Sequence, residues 1–171
     1  MEKKIFVLDA SAIIGSHNFH DSDNFTINEV ISEIKDFKSK LFLQSALEER
    51  RIKLDEPDEE DLRKVESITK SSGDILRLSE VDRKVIALAL KFRRKGLSPV
   101  VLTDDYTMQN TLKIIKIPFK SILTPGIEEI LNWIKICKGC KKKYPSDYKF
   151  DECEICGSRI IKRKIKKNNS L

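Results

Sequence analysis

The sequence predicts an α/β chain, with a parallel sheet flanked by helices and a small cysteine-held module after it. Three observations predict this. Ile5-Phe6-Val7-Leu8 and Pro99-Val100-Val101-Leu102-Thr103 are unbroken apolar runs, the pattern of strands buried on both faces. Amphipathic helical stretches lie between the apolar runs, so strands alternate with helices. Near the end stand two C-x2-C pairs, Cys137/Cys140 and Cys153/Cys156, with twelve residues between them.

Taken in order, the first strand meets Asp9, and a polar loop runs from about Gly15 to Phe25. Thr26-Ile27-Asn28-Glu29 reads as a capping box opening a helix whose apolar face is Val30, Ile31 and Ile34. Leu41 to Leu47 reads as a second helix, and Ile52-Lys53-Leu54 as a short strand. A charged helix begins near Pro57 and stops at Gly73. Ser79-Glu80-Val81-Asp82 starts the strongest helix, with Val81, Val85, Ile86, Leu88, Ala89 and Phe92 as its core face. Arg93, Arg94, Lys95 and Gly96 end it. The second apolar strand ends at Asp104-Asp105. A helix over about 106–115, a strand over 119–123 and a helix over about 127–135 complete the larger domain. The division expected is 1–132 for that domain, 133–164 for the cysteine module and 165–171 for a basic, polar tail without fixed structure.

No apolar run approaches the roughly 20 residues of a membrane helix. The N-terminal stretch, too short and charged at once, is not a signal peptide. The expectation is a cytoplasmic protein with no membrane partner, where paired cysteines bind zinc rather than form disulfides. Two hooks at this spacing bring four thiolates to one tetrahedral Zn2+, with Cys137, Cys140, Cys153 and Cys156 as ligands. Gly157 follows the second hook, where a tight turn lets amides face the sulfurs.

Charge is divided unevenly. Residues 1–132 hold 21 Lys and Arg against 23 Asp and Glu; residues 133–171 hold 12 against 4. The basic surplus therefore belongs to the cysteine module and tail, and Lys141, Lys142, Lys143, Arg159, Lys162, Arg163 and Lys164 are the candidates for contacting a polyanion such as RNA. The bland reading is a solubilising, solvated tail.

The acids gather in the larger domain. Asp9, Asp104 and Asp105 each follow a predicted strand, at the edge where open α/β sheets bind ligands. Glu29 and Asp82 each lie in a first helical turn that can face the same edge. Carboxylates without His or Cys select Mg2+ or Mn2+. Such ions beside a basic surface are the parts of a phosphodiesterase leaving 5′-phosphate and 3′-hydroxyl ends. Singly, Glu29, Asp82, Asp104 and Asp105 also read as helix caps. Asp9 has no such ready explanation. Glu33, one turn after Glu29, is an alternative to it, and His17 and His20 read as surface residues.

Leu8-Asp9-Ala10-Ser11, Thr26-Ile27-Asn28-Glu29-Val30, Leu78-Ser79-Glu80-Val81-Asp82 and Leu102-Thr103-Asp104-Asp105 resemble, in order and separation, the motifs of PIN-domain nucleases. The stretch Tyr106-Thr107-Met108-Gln109-Asn110 and the four-cysteine ribbon narrow the resemblance to the NIN-one-binding endoribonucleases, which cut the 3′ end of small-subunit ribosomal RNA. The resemblance spans Ile5 to about Lys164. It implies metal-binding acids at Asp9, Glu29, Asp82 and Asp105, with Asp104 at the variable place of the Thr-x-Asp pattern. It also implies precursor small-subunit rRNA, the small ribosomal subunit and assembly factors as partners. Lys141 stands where many ribbons carry Gly. Two other readings stay open: a PIN ribonuclease acting on other RNA, such as a toxin, and an RNA-binding factor whose PIN domain no longer cuts. The ribbon argues against the first, and the presence of all four acids against the second.

Overall fold

The structure, a computed structural model, describes residues 4–15, 23–72, 77–126, 132–145 and 148–165. The larger part runs β1 (Lys4–Leu8), α1 (Ala10–Ile14), β2 (Asp23–Thr26), α2 (Asn28–Glu33), α3 (Phe37–Glu48), β3 (Ile52–Leu54), α4 (Glu59–Ser72), α5 (Glu80–Arg94), β4 (Ser98–Leu102), α6 (Tyr106–Ile114) and β5 (Phe119–Lys120). Its five strands are all parallel, in the order β3-β2-β1-β4-β5. The two apolar runs pair along their whole length, from Lys4 opposite Ser98 to Leu8 opposite Leu102. They form the centre of the sheet, and Val7, Leu8, Val101 and Leu102 are fully buried.

The chain builds one half of the sheet outward from β1, then returns to build the other half from β4. The strand order reverses between β1 and β4, and the place outside their carboxyl ends is where such open sheets form a ligand crevice. Asp9 and Asp104-Asp105 follow those two strands, so the topology alone brings them to one crevice.

Helix α5 covers β1 and β4 and packs against α4 and α6. Every residue from Val85 to Phe92 is buried, and its start is the capping box expected of Ser79 and Asp82, both reciprocal bonds being made. Buried Lys91 lies among these residues. Its Nζ donates to Asp55 Oδ1 at 2.9 Å and to the Glu56 carbonyl at 2.6 Å, tying the segment after β3 to the core.

Several elements differ from the sequence expectation. Thr26 ends strand β2 instead of capping a helix, and its hydroxyl donates to the Leu8 carbonyl at 2.9 Å. Helix α2 begins at Asn28 with no side-chain cap. The polar look of Asp23 and Asn24 concealed β2: Asn24 turns a buried amide to the Arg51 carbonyl, and Asp23 pairs with Lys53. Helix α3 starts earlier than expected because Asp36 caps it. β5 is shorter than the strand expected over 119–123. His17, His20, Gly73 and the first residues of the helix expected over 127–135 fall outside the described residues. From Asn132 to Lys135 the chain is strand, not helix.

That strand, β6 (Asn132–Cys137), joins β7 (Lys143–Tyr144) and β8 (Ile160–Ile165) in an antiparallel sheet ordered β7-β6-β8. Pairing with β8 along its whole length, from Asn132 opposite Ile165 to Cys137 opposite Ile160, outweighs helix preference. Among the described residues the buried cluster of this module is Cys137, Tyr144, Cys153 and Ile160, with Tyr148 packed against it. So small a core calls for a metal or other staple.

Removing the Lys91 ammonium strands Asp55 and the Glu56 carbonyl. Lys91→Ala is expected to lower the free energy of unfolding by about 2–4 kcal/mol, reflecting charged hydrogen bonds and a buried stem. Lys91→Met should recover part of that loss in urea titrations.

Candidate active site and cysteine cluster

Asp9 is the most buried acid of the crevice, 7% exposed. Its backbone N–H extends the sheet by donating to the Leu102 carbonyl at 3.1 Å. Its side chain caps α1 through Oδ1, which accepts from Ala10 N at 2.7 Å. Oδ2 accepts from the Ser11 hydroxyl at 3.1 Å and the Thr103 hydroxyl at 2.9 Å. Those hydroxyls in turn accept from the backbone N–H groups of Asp104 and Asp105, each at 3.1 Å. Two relays thus run from consecutive amides after β4 to one carboxylate oxygen after β1. Burial, with a smaller contribution from the charge of Asp82, pushes the Asp9 carboxyl above its ordinary value despite these bonds.

Asp105 and Asp104 part company. Asp105 is the N-cap of α6, its Oδ1 accepting from Thr107 N at 2.6 Å and Met108 N at 2.8 Å. The side chain is exposed at the crevice edge. Asp104 turns away to the segment after β5. It accepts from the amides of Ile122, Leu123 and Thr124 and from the Thr124 hydroxyl, all within 2.9–3.1 Å. Burial raises the Asp104 carboxyl, but these donors outweigh it and hold it below the usual range. Gln109 braces the same region from within: its buried amide donates to the Thr103 carbonyl and the Ser121 hydroxyl, each at 2.9 Å.

The α2 acids also divide. Glu29 is engaged by Lys84, which lowers its carboxyl through a hydrogen bond. Its other oxygen, Oε2, is buried without a hydrogen-bond partner. Glu33, one turn on, lies in the field of the crevice acids: burial, then the charges of Asp82 and Asp9, raise its carboxyl. The charge of Asp82 thus reaches both Asp9 and Glu33, and that of Asp9 reaches Glu33, while Glu29 is paired with a lysine. Among the described residues no three carboxylates converge as tightly as the cysteines do. That spread, with hard oxygen donors throughout, fits a divalent ion that keeps part of its water shell.

The four sulfurs converge. All lie within 4.8 Å of one another, Cys137 to Cys156 at 3.4 Å and Cys140 to Cys153 at 3.5 Å, and none is in a disulfide. A tetrahedral zinc with Zn–S bonds of about 2.3 Å needs sulfurs a little under 4 Å apart. The hydroxyl and backbone of Ser158 and the backbone of Cys140 pull the Cys156 thiol down to about 5, and Tyr144 lowers Cys153 through its hydroxyl. Thiolates are the form that binds metal. Gly157 sits at φ +66°, as the turn after the second hook requires; Lys141 sits at φ +65° after the first.

The basic candidates do not share one face. Alternation along the strands sets Lys143 and Arg163 opposite to Lys162, and Lys142 is bonded to Glu154. Lys141, Lys143, Arg159, Lys162 and Arg163 are exposed, and the side chain of Lys164 falls outside the described residues. Sequence reasoning missed Ser11, Thr103 and Gln109 as parts of the site. Their signal was a hydroxyl at each central strand end and a polar pair, Gln109-Asn110, amid apolar helix residues.

Two outcomes are expected. Asp9 and Glu33 both have raised carboxyls, so the unfolded chain releases these protons first and their effect on metal-free stability turns unfavourable as pH climbs from about 4 through the folded values. A divalent ion binds only the ionised acids, so its effect has the opposite sign. The rise in Tm caused by Mn2+ should be larger at pH 7.5 than at pH 5, and Asp9→Asn should abolish the difference; equal shifts in the wild type would disprove the assignment. Separately, Lys141→Gly should stabilise the cysteine module by about 1 kcal/mol by relieving a left-handed backbone, read as slower zinc loss to a chelator.

A family model described as the PIN domain of ribonuclease matches residues 6–92, which contain Asp9, Glu29, Glu33 and Asp82. The Endoribonuclease Nob1 of Methanothermobacter thermautotrophicus is 49% identical over 158 residues, 92% of each chain. The Endoribonuclease Nob1 of Methanocaldococcus jannaschii is 39% identical, over 95% of this chain and 79% of its own. The Ribonuclease VapC1 of Thermoplasma acidophilum is 34% identical, over 98% of this chain and 81% of its own. The family model covers half of the chain and the relatives nearly all of it, and the chain belongs to the PIN-domain ribonucleases, in the family of the Nob1 endoribonucleases.

Proposed function

We propose that this endoribonuclease cuts precursor small-subunit ribosomal RNA at its mature 3′ end, in the cytoplasm, on or near the assembling small subunit and its assembly factors. The observation that carries the reading is the union, in one chain, of a PIN crevice with a four-cysteine ribbon, matched along nearly its whole length by relatives named Nob1. The working division is a nuclease domain over 1–132, a zinc ribbon over 133–164 and a tail over 165–171.

Asp9, Glu33, Asp82 and Asp105 hold Mg2+ or Mn2+, with Glu33 taking the place first expected of Glu29. The pairing of Glu29 with Lys84 and the shared field of Glu33, Asp82 and Asp9 support that exchange. Asp104 acts as a positioning residue, since its oxygens are spent on the 122–124 amides. Cys137, Cys140, Cys153 and Cys156 hold Zn2+. When bound, the catalytic ion supplies an acidified water and charge stabilisation for the leaving oxygen. The chain's own part is to fix Asp9 between two hydroxyl donors, keep Asp105 on a rigid helix start and draw the RNA backbone in with the ribbon's cations. Selection of the cut site falls to the ribbon and the particle, because the crevice itself is open.

Small-subunit rRNA carrying several extra 3′ nucleotides, incubated with Mn2+, should be cut once, at the mature end, and not by Asp9→Asn. Cleavage scattered along unrelated RNA would favour the reading of a broader PIN ribonuclease. Tight binding without any cut would favour a binding factor. On the cut substrate, Glu33→Gln should lower kcat/KM about 100-fold or more, as losing a transition-state contact does. Glu29→Gln should stay within about tenfold, since that loss acts only through Lys84 and the helix that presents Glu33. The reverse ranking would restore Glu29 to the site.

A further inference from the structure

One face of the ribbon has a composition that metal binding does not require. Strand alternation places Trp133, Lys135 and Cys137 of β6 on the same side. Lys135 stands directly opposite Lys162 of β8 on one flank and Tyr144 of β7 on the other. Tyr144 is buried, with its hydroxyl on Cys153 Sγ at 2.9 Å. Its ring meets Tyr148 at 4.4 Å between centroids, and Tyr148 meets Phe150 edge-on at 5.5 Å. The Lys135 ammonium donates to the Tyr148 carbonyl and so sits at the foot of this row.

The row runs outward from the cysteines and ends in solvent. Phe150 is 69% exposed although the module has almost no apolar core to spend. A phenyl ring left outside such a core, propped by a second ring and flanked by ammonium groups, is the arrangement that binds unpaired nucleotides. The ring face takes a base, and the cations take the phosphates on either side. A paired base offers no free face, and an A-form duplex presents only backbone and a shallow groove to such a surface.

We infer that this face of the ribbon is a site for unpaired RNA, with a base stacked on Phe150 and the adjoining phosphate held by Lys135 and Lys162. The inference rests on the reading above that RNA is what the ribbon meets, and it adds that the ribbon distinguishes single strands from duplex. It also separates the basic residues into two sets. Lys135 and Lys162 belong to the stacking face, while Lys143 and Arg163 lie on the reverse.

The test uses the whole chain without Mn2+, so that binding is read apart from cutting. Trp133, the only tryptophan, reports from the same face by fluorescence. A labelled 12-nucleotide unstructured RNA and a 12-base-pair duplex of the same sequence are titrated in parallel. Phe150→Ala should weaken the single strand about 5- to 100-fold, the range for losing one stacked base, and change duplex binding less than about twofold. Phe150→Leu, which keeps apolar bulk without a ring, should also weaken it, and Phe150→Trp should restore it. Lys162→Ala should reduce the slope of log affinity against log salt by about 0.7, one phosphate's share on a single strand, and Phe150→Ala should leave that slope unchanged. Zinc content of one ion per chain in each variant separates these effects from unfolding. The inference is overturned if Phe150→Leu binds the single strand like the wild type, or if Phe150→Ala weakens strand and duplex alike. Cleavage of the extended rRNA by the wild type, measured on the same preparation, keeps that outcome distinct. A protein that cuts the rRNA with Phe150 neutral to binding loses only the stacking site; one that stacks RNA but never cuts loses the rRNA reading.

Discussion

The side chain of Asp9 is the junction on which the nuclease site hangs. β1 and β4 would lie side by side without it, since their ladder is complete to Leu8 and Leu102. What the ladder does not determine is the course of the chain after each strand. Asp9 settles it on both sides, capping α1 with one oxygen and drawing the Ser11 and Thr103 hydroxyls onto the other. Each hydroxyl has one proton to give, and each is itself an acceptor for a backbone N–H of the segment after β4. Both protons go to Asp9, because a carboxylate oxygen accepts two of them and is a better acceptor for Thr103 than the Met108 sulfur 3.5 Å from its hydroxyl. The turn that aims Asp105 at the crevice and Asp104 away from it is thus organised by an acid nearly a hundred residues earlier.

How much of this was legible in the sequence depends on whether the signal was local. β1 and β4 were, because burial on both faces writes an unbroken apolar run. So was α5, with its capping box and basic end. β2 was not, because its polar residues are satisfied by partners distant in sequence: Thr26 by the Leu8 carbonyl, Asn24 by Arg51 and Asp23 by Lys53. Thr26 and Glu29 stand three apart, the spacing of a capping box, yet Thr26 is committed to β1 and Glu29 to Lys84. The same limitation governs the acids. Asp9 could be picked out because no local role explained it. The pairing of Glu29 with Lys84 and the bonds of Asp104 to the 122–124 amides join residues distant in sequence, so no local pattern shows them. The strand at 132–135 was missed for the same reason: its partner, β8, arrives after the cysteine hooks.

The ribbon obeys a different physics. The nuclease domain folds around a large apolar cluster, whereas the ribbon buries two cysteines, a tyrosine and an isoleucine. Its shape is set by the geometry around four sulfurs, and an ion bound there supplies folding energy outright. Where the two parts meet, the Arg77 guanidinium lies over the Trp133 ring at 4.3 Å. That stacking joins the segment before α5 to the first turnings of the ribbon sheet.

The donor chemistry also keeps the two centres apart. Four thiolates, with Cys156 drawn down to about 5 by Ser158 and Cys140, suit a soft or borderline ion and hold it without an open position. Scattered carboxylates suit a hard ion and leave room for water. A tetrahedral ion on the four sulfurs would have no open position and would serve structure, whereas an ion on the scattered carboxylates would keep places for water or substrate. Burial acts on both, but with opposite consequences. At Cys153 and Cys156 it is outweighed by N–H and O–H donors, which favour the thiolate. At Asp9 it is not fully offset, and the site stays electrostatically unsatisfied beside Asp82 and Glu33. A carboxylate cluster of that kind costs the fold some stability when empty. A divalent ion bound among these acids would relieve the same deficit, so the repulsion that weakens the empty site would become affinity for the ion.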